Sequence, residues 1–141
     1  MNSQLNSQMN PGKKVFVVLS KNEAKIWKGN FDPGAEPVTI FSPQMGYEKR
    51  KLVNQFFSGR NRGGINPRFG FHIMEELTGF DQIYLAGGGK GKSSAVGNFT
   101  TYLRAHNHTL ADRIRRVKEI DAEYMSDGEL LAIAREMITH I

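Results

Sequence analysis

The chain has 141 residues, a net charge of +5 and no cysteine, with 15 glycines. That length suits one domain with a single core, and the missing cysteines exclude disulfides and thiolate chemistry. No apolar run reaches membrane-spanning length and no signal pattern opens the chain, so a cytoplasmic protein with an anionic partner is expected.

Residues 1–12 are dominated by Asn, Ser and Gln, too polar to bury much surface. They read as a disordered tail before a single α/β domain over 13–141. Val15, Phe16, Val17, Val18 and Leu19 form a continuous apolar run, the signature of a central strand covered on both faces. After the turn Ser20, Lys21 and Asn22, residues 23–28 alternate. Ala24 and Ile26 share one face, Lys25 and Trp27 the other, which predicts a hairpin partner half exposed to solvent. Turn residues Gly29, Asp32, Pro33, Gly34 and Pro37 precede a short third strand over 38–41.

Residues 42–65 have no clean period, although 52–57 could close a helical turn. Here Lys49, Arg50, Lys51, Arg60 and Arg62 alternate with Tyr47, Phe56 and Phe57. A loop this long is usually functional or disordered. Cations for phosphates and rings for bases are what a single-stranded nucleic acid requires, and Arg68 extends the series. The plainer reading is a solvated loop whose aromatics cover the sheet. Asn66 then Pro67 predict a capped helix start, with Phe69, Ile73, Met74, Leu77 and Phe80 apolar and Gly79 at the end. His72 on this helix reads as a surface or partnered histidine.

Ile83, Tyr84, Leu85 and Ala86 predict a buried fourth strand running into Gly87, Gly88, Gly89, Lys90, Gly91, Lys92 and Ser93. A helix follows, with Ala95, Val96, Phe99, Tyr102 and Leu103 at helical spacing and its end near His106. Gly87, Gly88, Gly89 and Gly91 allow backbone conformations that side chains forbid, and the free N–H groups and dipole of a helix N-terminus favour an anion. Ala86 to Ser93 also fits the loose phosphate-loop spacing, in which Gly88, Gly89, Lys90, Lys92 and Ser93 would cradle phosphate. Against nucleotide hydrolysis stand Ala86 where the strict pattern wants Gly, and the lack of an apolar run ending in an Asp downstream. The simplest alternative is a glycine turn bearing two solvated lysines. His106 and His108 lack a third ligand at a suitable spacing, so neither metal nor cofactor is assigned.

Over 110–121 two readings compete. Leu110, Ile114, Val117 and Tyr124 fit a helix; Arg115, Arg116 and the alternation of elements fit an exposed edge strand. Ser126 and Glu129 form a capping box ahead of Leu130, Leu131, Ala134, Met137, Ile138 and Ile141, an amphipathic last helix. The order β-β-β-α-β-α-β-α gives a mixed five-stranded sheet, an antiparallel meander plus two parallel strands, with helices on both faces.

Residues 17–26, the Leu85–Gly88 turn, Ala105 to His108, and the run Ile120, Asp121, Ser126 to Leu130, Ala134 and Arg135 resemble a family of small bacterial proteins called translational machinery components. That family's fold is similar to the RNase H-like middle domain of class I peptide release factors and of the ribosome-rescue protein Pelota. The resemblance implies a fifth strand over 113–120, and that assignment is adopted. Release factors carry a Gly-Gly-Gln tip before a helix, and Gly63 and Gly64 match its glycines. Ile65 stands where the Gln would be and lacks its amide, which argues against peptide release. The family's histidine-rich loop is also missing here, and Gly63 with Gly64 can equally be coincidence in a glycine-rich chain.

The expectation is therefore a non-catalytic RNA- or ribosome-associated protein, contacting phosphates through Lys49, Arg50, Lys51, Arg60, Arg62, Gly63, Gly64 and Arg68. Two alternatives stand beside it. One is a nucleotide- or phosphate-binding protein using the glycine loop, and the other is a dimeric interaction module paired through an exposed strand edge.

Overall fold

A computed structural model describes residues 12–43, 65–88 and 94–139. The described residues form a five-stranded mixed sheet in the order β3-β2-β1-β4-β5. Its strands are β1 (Lys14–Leu19), β2 (Glu23–Lys28), β3 (Val38–Phe41), β4 (Gln82–Gly87) and β5 (Ile114–Glu119). β1 pairs antiparallel with β2 and β2 with β3, whereas β1–β4 and β4–β5 are parallel. The helices are α1 (Pro67–Leu77), α2 (Ala95–His106), the short α3 (His108–Ala111) and α4 (Asp127–Thr139), with a 3-10 turn over Ala122–Tyr124. Among the described residues no helix is long and apolar enough to cross a membrane.

The apolar run of β1 divides as the pleat demands. Val15, Val17 and Leu19 join Ile83 and Leu85 beneath α1, α2 and α3, which contribute Phe69, Ile73, Leu77, Val96, Phe99, Leu103 and Leu110. Phe16 and Val18 join Tyr84 and Ala86 on the opposite face beneath Leu130, Leu131, Ala134 and Met137 of α4. Each central strand is thus covered twice, which is why its sequence shows no polar alternation.

β2 is more enclosed than its alternation predicts. Trp27 is only 1% exposed; its ring lies 5.8 Å from Phe16 and its indole N–H donates to the Ala35 carbonyl at 3.0 Å. On the same face the Lys25 ammonium meets the Asp127 carboxylate at 2.7 Å, so α4 closes over a surface the hairpin alone would leave open.

Local signals set the helix starts. The Asn66 side-chain oxygen accepts from the N–H groups of Arg68 (2.9 Å) and Phe69 (3.2 Å), with Pro67 in the first turn. Ser94 caps α2 by accepting from Gly97 N–H at 2.8 Å. Ser126 and Glu129 bond reciprocally, each backbone N–H donating to the other's side chain, at 2.9 and 3.1 Å. Gly79 ends α1 with φ +93°, a backbone region that favours glycine.

The helical reading of 110–121 fails. Leu110 is buried on α3, Ile114 and Val117 lie on strand β5, and Tyr124 sits on the 3-10 turn. The apparent helical period was assembled from three separate elements. The strand that the resemblance implies over 113–120 is present as Ile114–Glu119.

Candidate functional site

β1, β4 and β5 run in one direction, so Leu19, Gly87 and Glu119 finish side by side in register. In an open α/β sheet this C-terminal edge is the usual place for ligands. The chain converges on it. Ala95 N–H at the start of α2 donates to the Gly88 carbonyl at 3.3 Å, and Ile120 N–H donates to the Gly87 carbonyl at 2.8 Å. Asp127, at the start of α4, reaches Lys25 on the neighbouring strand. α1 ends four residues before β4 begins at the opposite edge, so its capped N-terminus also lies here. β3 climbs to the same edge, where Ser42 N–H donates to the Asn22 carbonyl of the hairpin at 2.7 Å. Both described residues that flank 44–64, Pro43 and Ile65, therefore sit at the edge where β4 hands over to α2.

Gly87 and Gly88 are where the sequence reading needs correcting. Neither has positive φ. A Cβ on Gly87 would come within 2.5 Å of the Leu19 carbonyl oxygen and 2.6 Å of Val96 Cγ2; on Gly88 it would meet the Ile120 carbonyl oxygen at 3.2 Å. The requirement is close approach of chain segments rather than conformational freedom. The start of α2 is also partly spoken for. The N–H groups of Ala95, Gly97 and Asn98 are committed to Gly88 O, Ser94 Oγ and Ser94 O.

Of the proposed phosphate-contacting residues, Arg68 is described. It is exposed in the first turn of α1, and its guanidinium makes no ion pair among the described residues. Lys49, Arg50, Lys51, Arg60, Arg62, Gly63 and Gly64 lie outside the described residues, as do Gly89, Lys90, Lys92 and Ser93, the tail over 1–11, the 52–57 turn and Ile141. Ile65 is partly buried and packs against the cluster beneath α1 and α2. Its branched side chain anchors the chain to the core just before α1.

The edge is electrically divided. Residues 119–129 hold Glu119, Asp121, Glu123, Asp127 and Glu129 and no cation, so the α4 side is acidic. The exposed Arg68 lies on the α1 side. A polyanion is repelled from the first and drawn to the second. His106 turns Nδ1 to the Tyr102 carbonyl at 2.9 Å and stacks on the Tyr102 ring at 4.0 Å; His72 is exposed beside Phe71. Among the described residues no three His, Asp or Glu groups are placed to hold a metal.

What sequence reasoning missed is an open pocket of about 300 Å³ between the β1–β2 hairpin and the 3-10 turn. Val18, Met125 and Leu130 floor it, and Glu23, Lys25 and Glu123 line its polar side. Its walls come from segments a hundred residues apart, and no local motif announces it.

No protein-family model matches the sequence, and no curated protein matches it either. Among solved structures the chain is similar to Pelota from Archaeoglobus fulgidus, with a TM-score of 0.53 and 15% identity. The match covers 97% of this chain and 36% of that one, so the chain spans roughly a third of Pelota's length. At that identity the likeness concerns architecture alone: five mixed strands with helices on both faces.

Proposed function

We propose that this protein is a non-catalytic RNA- or ribosome-associated domain acting in translation. It contacts the phosphate backbone with Arg60, Arg62 and Arg68, supported by Lys49, Arg50 and Lys51. The observation that carries the reading is the exposed Arg68, without an ion pair among the described residues, at the C-terminal sheet edge on the side away from the acidic 119–129 segment. The flanks of the arginine-bearing stretch sit at that same edge, and the Pelota-like fold adds support. The net charge of +5 fits a polyanionic partner.

Contacts of this kind give salt-dependent binding with little sequence preference. On a single strand each neutralised phosphate adds about 0.7 to the slope of log affinity against log salt. Replacing Arg60, Arg62 and Arg68 together with Ala should therefore flatten that slope by about 2. The measurement is co-sedimentation with ribosomes, and with polyuridylate, over a salt series. An unchanged slope removes these arginines from the interface. Titration with ATP and magnesium separates the phosphate-loop alternative, because a ligand bound only to the folded state raises its thermal stability. The first-turn N–H groups of Ala95 and Gly97, already satisfied within the chain, favour the RNA reading over that one.

A further inference from the structure

β5 lies at the end of the sheet and overhangs both layers of helices. Ile114 is half-buried, and the five residues after it are exposed. Register puts Arg116 beside Tyr84 and Lys118 beside Ala86 on the α4 face, and Val117 beside Leu85 on the face of α1 and α2. Arg115 falls at the pairing irregularity opposite Ile83 and Tyr84. Among the described residues none of these three cations makes an ion pair, and Val117 is 54% exposed. β5 has a ladder partner on the β4 side alone among the described residues.

We propose that this free edge is a docking edge for an extended acidic polypeptide segment, which adds to the sheet beyond β5. A strand laid there pairs with the open row of N–H and C=O groups. Its side chains alternate between faces, so carboxylates reach Arg116 and Lys118 on one face while an apolar residue covers Val117 on the other. The row of backbone carbonyls favours a strand over RNA, since phosphate oxygens cannot satisfy acceptors. Charge also argues against a second copy of this chain. In an antiparallel β5–β5 pair centred between Arg116 and Val117, Arg115 would face Lys118 on both sides of the axis, and like charges opposite each other are unfavourable. Protection of a bare edge explains the cations less well. The opposite edge, β3, reads Val38, Thr39, Ile40 and Phe41 with no charge at all, although Phe41 is 57% exposed.

The experiment uses the full chain and three fluorescent probes: a peptide of alternating Glu and Val, the same peptide with two central residues changed to Pro, and polyuridylate. Anisotropy should show saturable binding of the alternating peptide and its loss with the proline peptide. The variant Arg115→Glu/Arg116→Glu/Lys118→Glu should bind the alternating peptide about tenfold or more weakly, the combined effect of two exposed charge pairs reversed and a third neighbouring cation turned repulsive. The milder triple change to Gln should fall between, and circular dichroism identifies any variant that does not fold. Equal binding of the proline peptide would reduce the edge to bulk charge and overturn the proposal. So would polyuridylate binding that depends on these three cations while the alternating peptide does not bind. Because Arg60, Arg62 and Arg68 are untouched, this outcome stands apart from the fate of the RNA reading above.

Discussion

Replacing Gly87 with Ala tests whether the glycine that ends β4 is required for close packing. The added methyl meets two atoms below 3.0 Å, the Leu19 carbonyl oxygen at 2.5 Å and Val96 Cγ2 at 2.6 Å. Val96 can shift at modest cost. The Leu19 carbonyl belongs to the central strand, paired on both sides, and cannot rotate away. Overpacking of this kind costs about 1–3 kcal/mol, and one immobile backbone atom puts Gly87→Ala near 2 kcal/mol. With an unfolding entropy of about 2.1 cal/mol/K per residue, a chain of this length loses about 7 °C in Tm. Urea unfolding followed by circular dichroism measures the free energy. Gly88→Ala, whose methyl meets one carbonyl at 3.2 Å, should cost under about 1 kcal/mol. Adding Val96→Ala to Gly87→Ala removes one clash, so the double-mutant cycle should show a favourable coupling of at least about 0.5 kcal/mol. If Gly87→Ala unfolds within about 0.5 kcal/mol of the parent, the close-packing account is wrong.

Asn66→Ala removes the acceptor for two N–H groups of α1 and should cost about 1–2 kcal/mol in the same assay. Ser126→Ala opens the reciprocal cap of α4 and should cost about 1 kcal/mol, with Glu129→Gln milder because the amide oxygen still accepts. Trp27 is the sole tryptophan, so its fluorescence reports the α4 face alone. Emission should be blue-shifted and shielded from iodide until global unfolding; early red-shifting would show α4 parting first. Trp27→Phe keeps the ring packing but orphans the Ala35 carbonyl, costing about 1–3 kcal/mol of polar and packing loss. Asp127→Asn should cost no more than about 1 kcal/mol, and less at high salt, since its pairing with Lys25 is partly exposed.

The parts of the fold that rest on contiguous residues were legible in the chain. An uninterrupted apolar run specified β1, Asn66 with Pro67 specified the start of α1, and Ser126 with Glu129 specified that of α4. The burial of Trp27 was not, because its cover arrives from α4, whose Asp127 lies 102 residues from Lys25. β5 was obscure for a different reason. A strand exposed on both faces needs neither alternation nor an apolar run, so Ile114 and Val117 joined a false helical period with Leu110 and Tyr124. The packing role of Gly87 and Gly88 is not legible in the sequence, since a contact between Gly87 and the Leu19 carbonyl leaves no mark on either local stretch. Of the candidate site, Arg68 and Gly88 are placed. The lysines and arginines of 49–62 and the lysines after Gly88 fall outside the described residues.

The pairing of β1 with β4 carries a kinetic consequence. The two strands are bridged just before their first residues by Lys13 and Asp81, 68 positions apart. The hairpin of β1 and β2 can form as soon as it is synthesised, but the most apolar strand then waits with one flank bare until the ribosome has delivered β4. Closing so long a loop before any reward slows refolding and exposes an aggregation-prone surface meanwhile. A refolding yield that drops as protein concentration rises would be the mark of that interval.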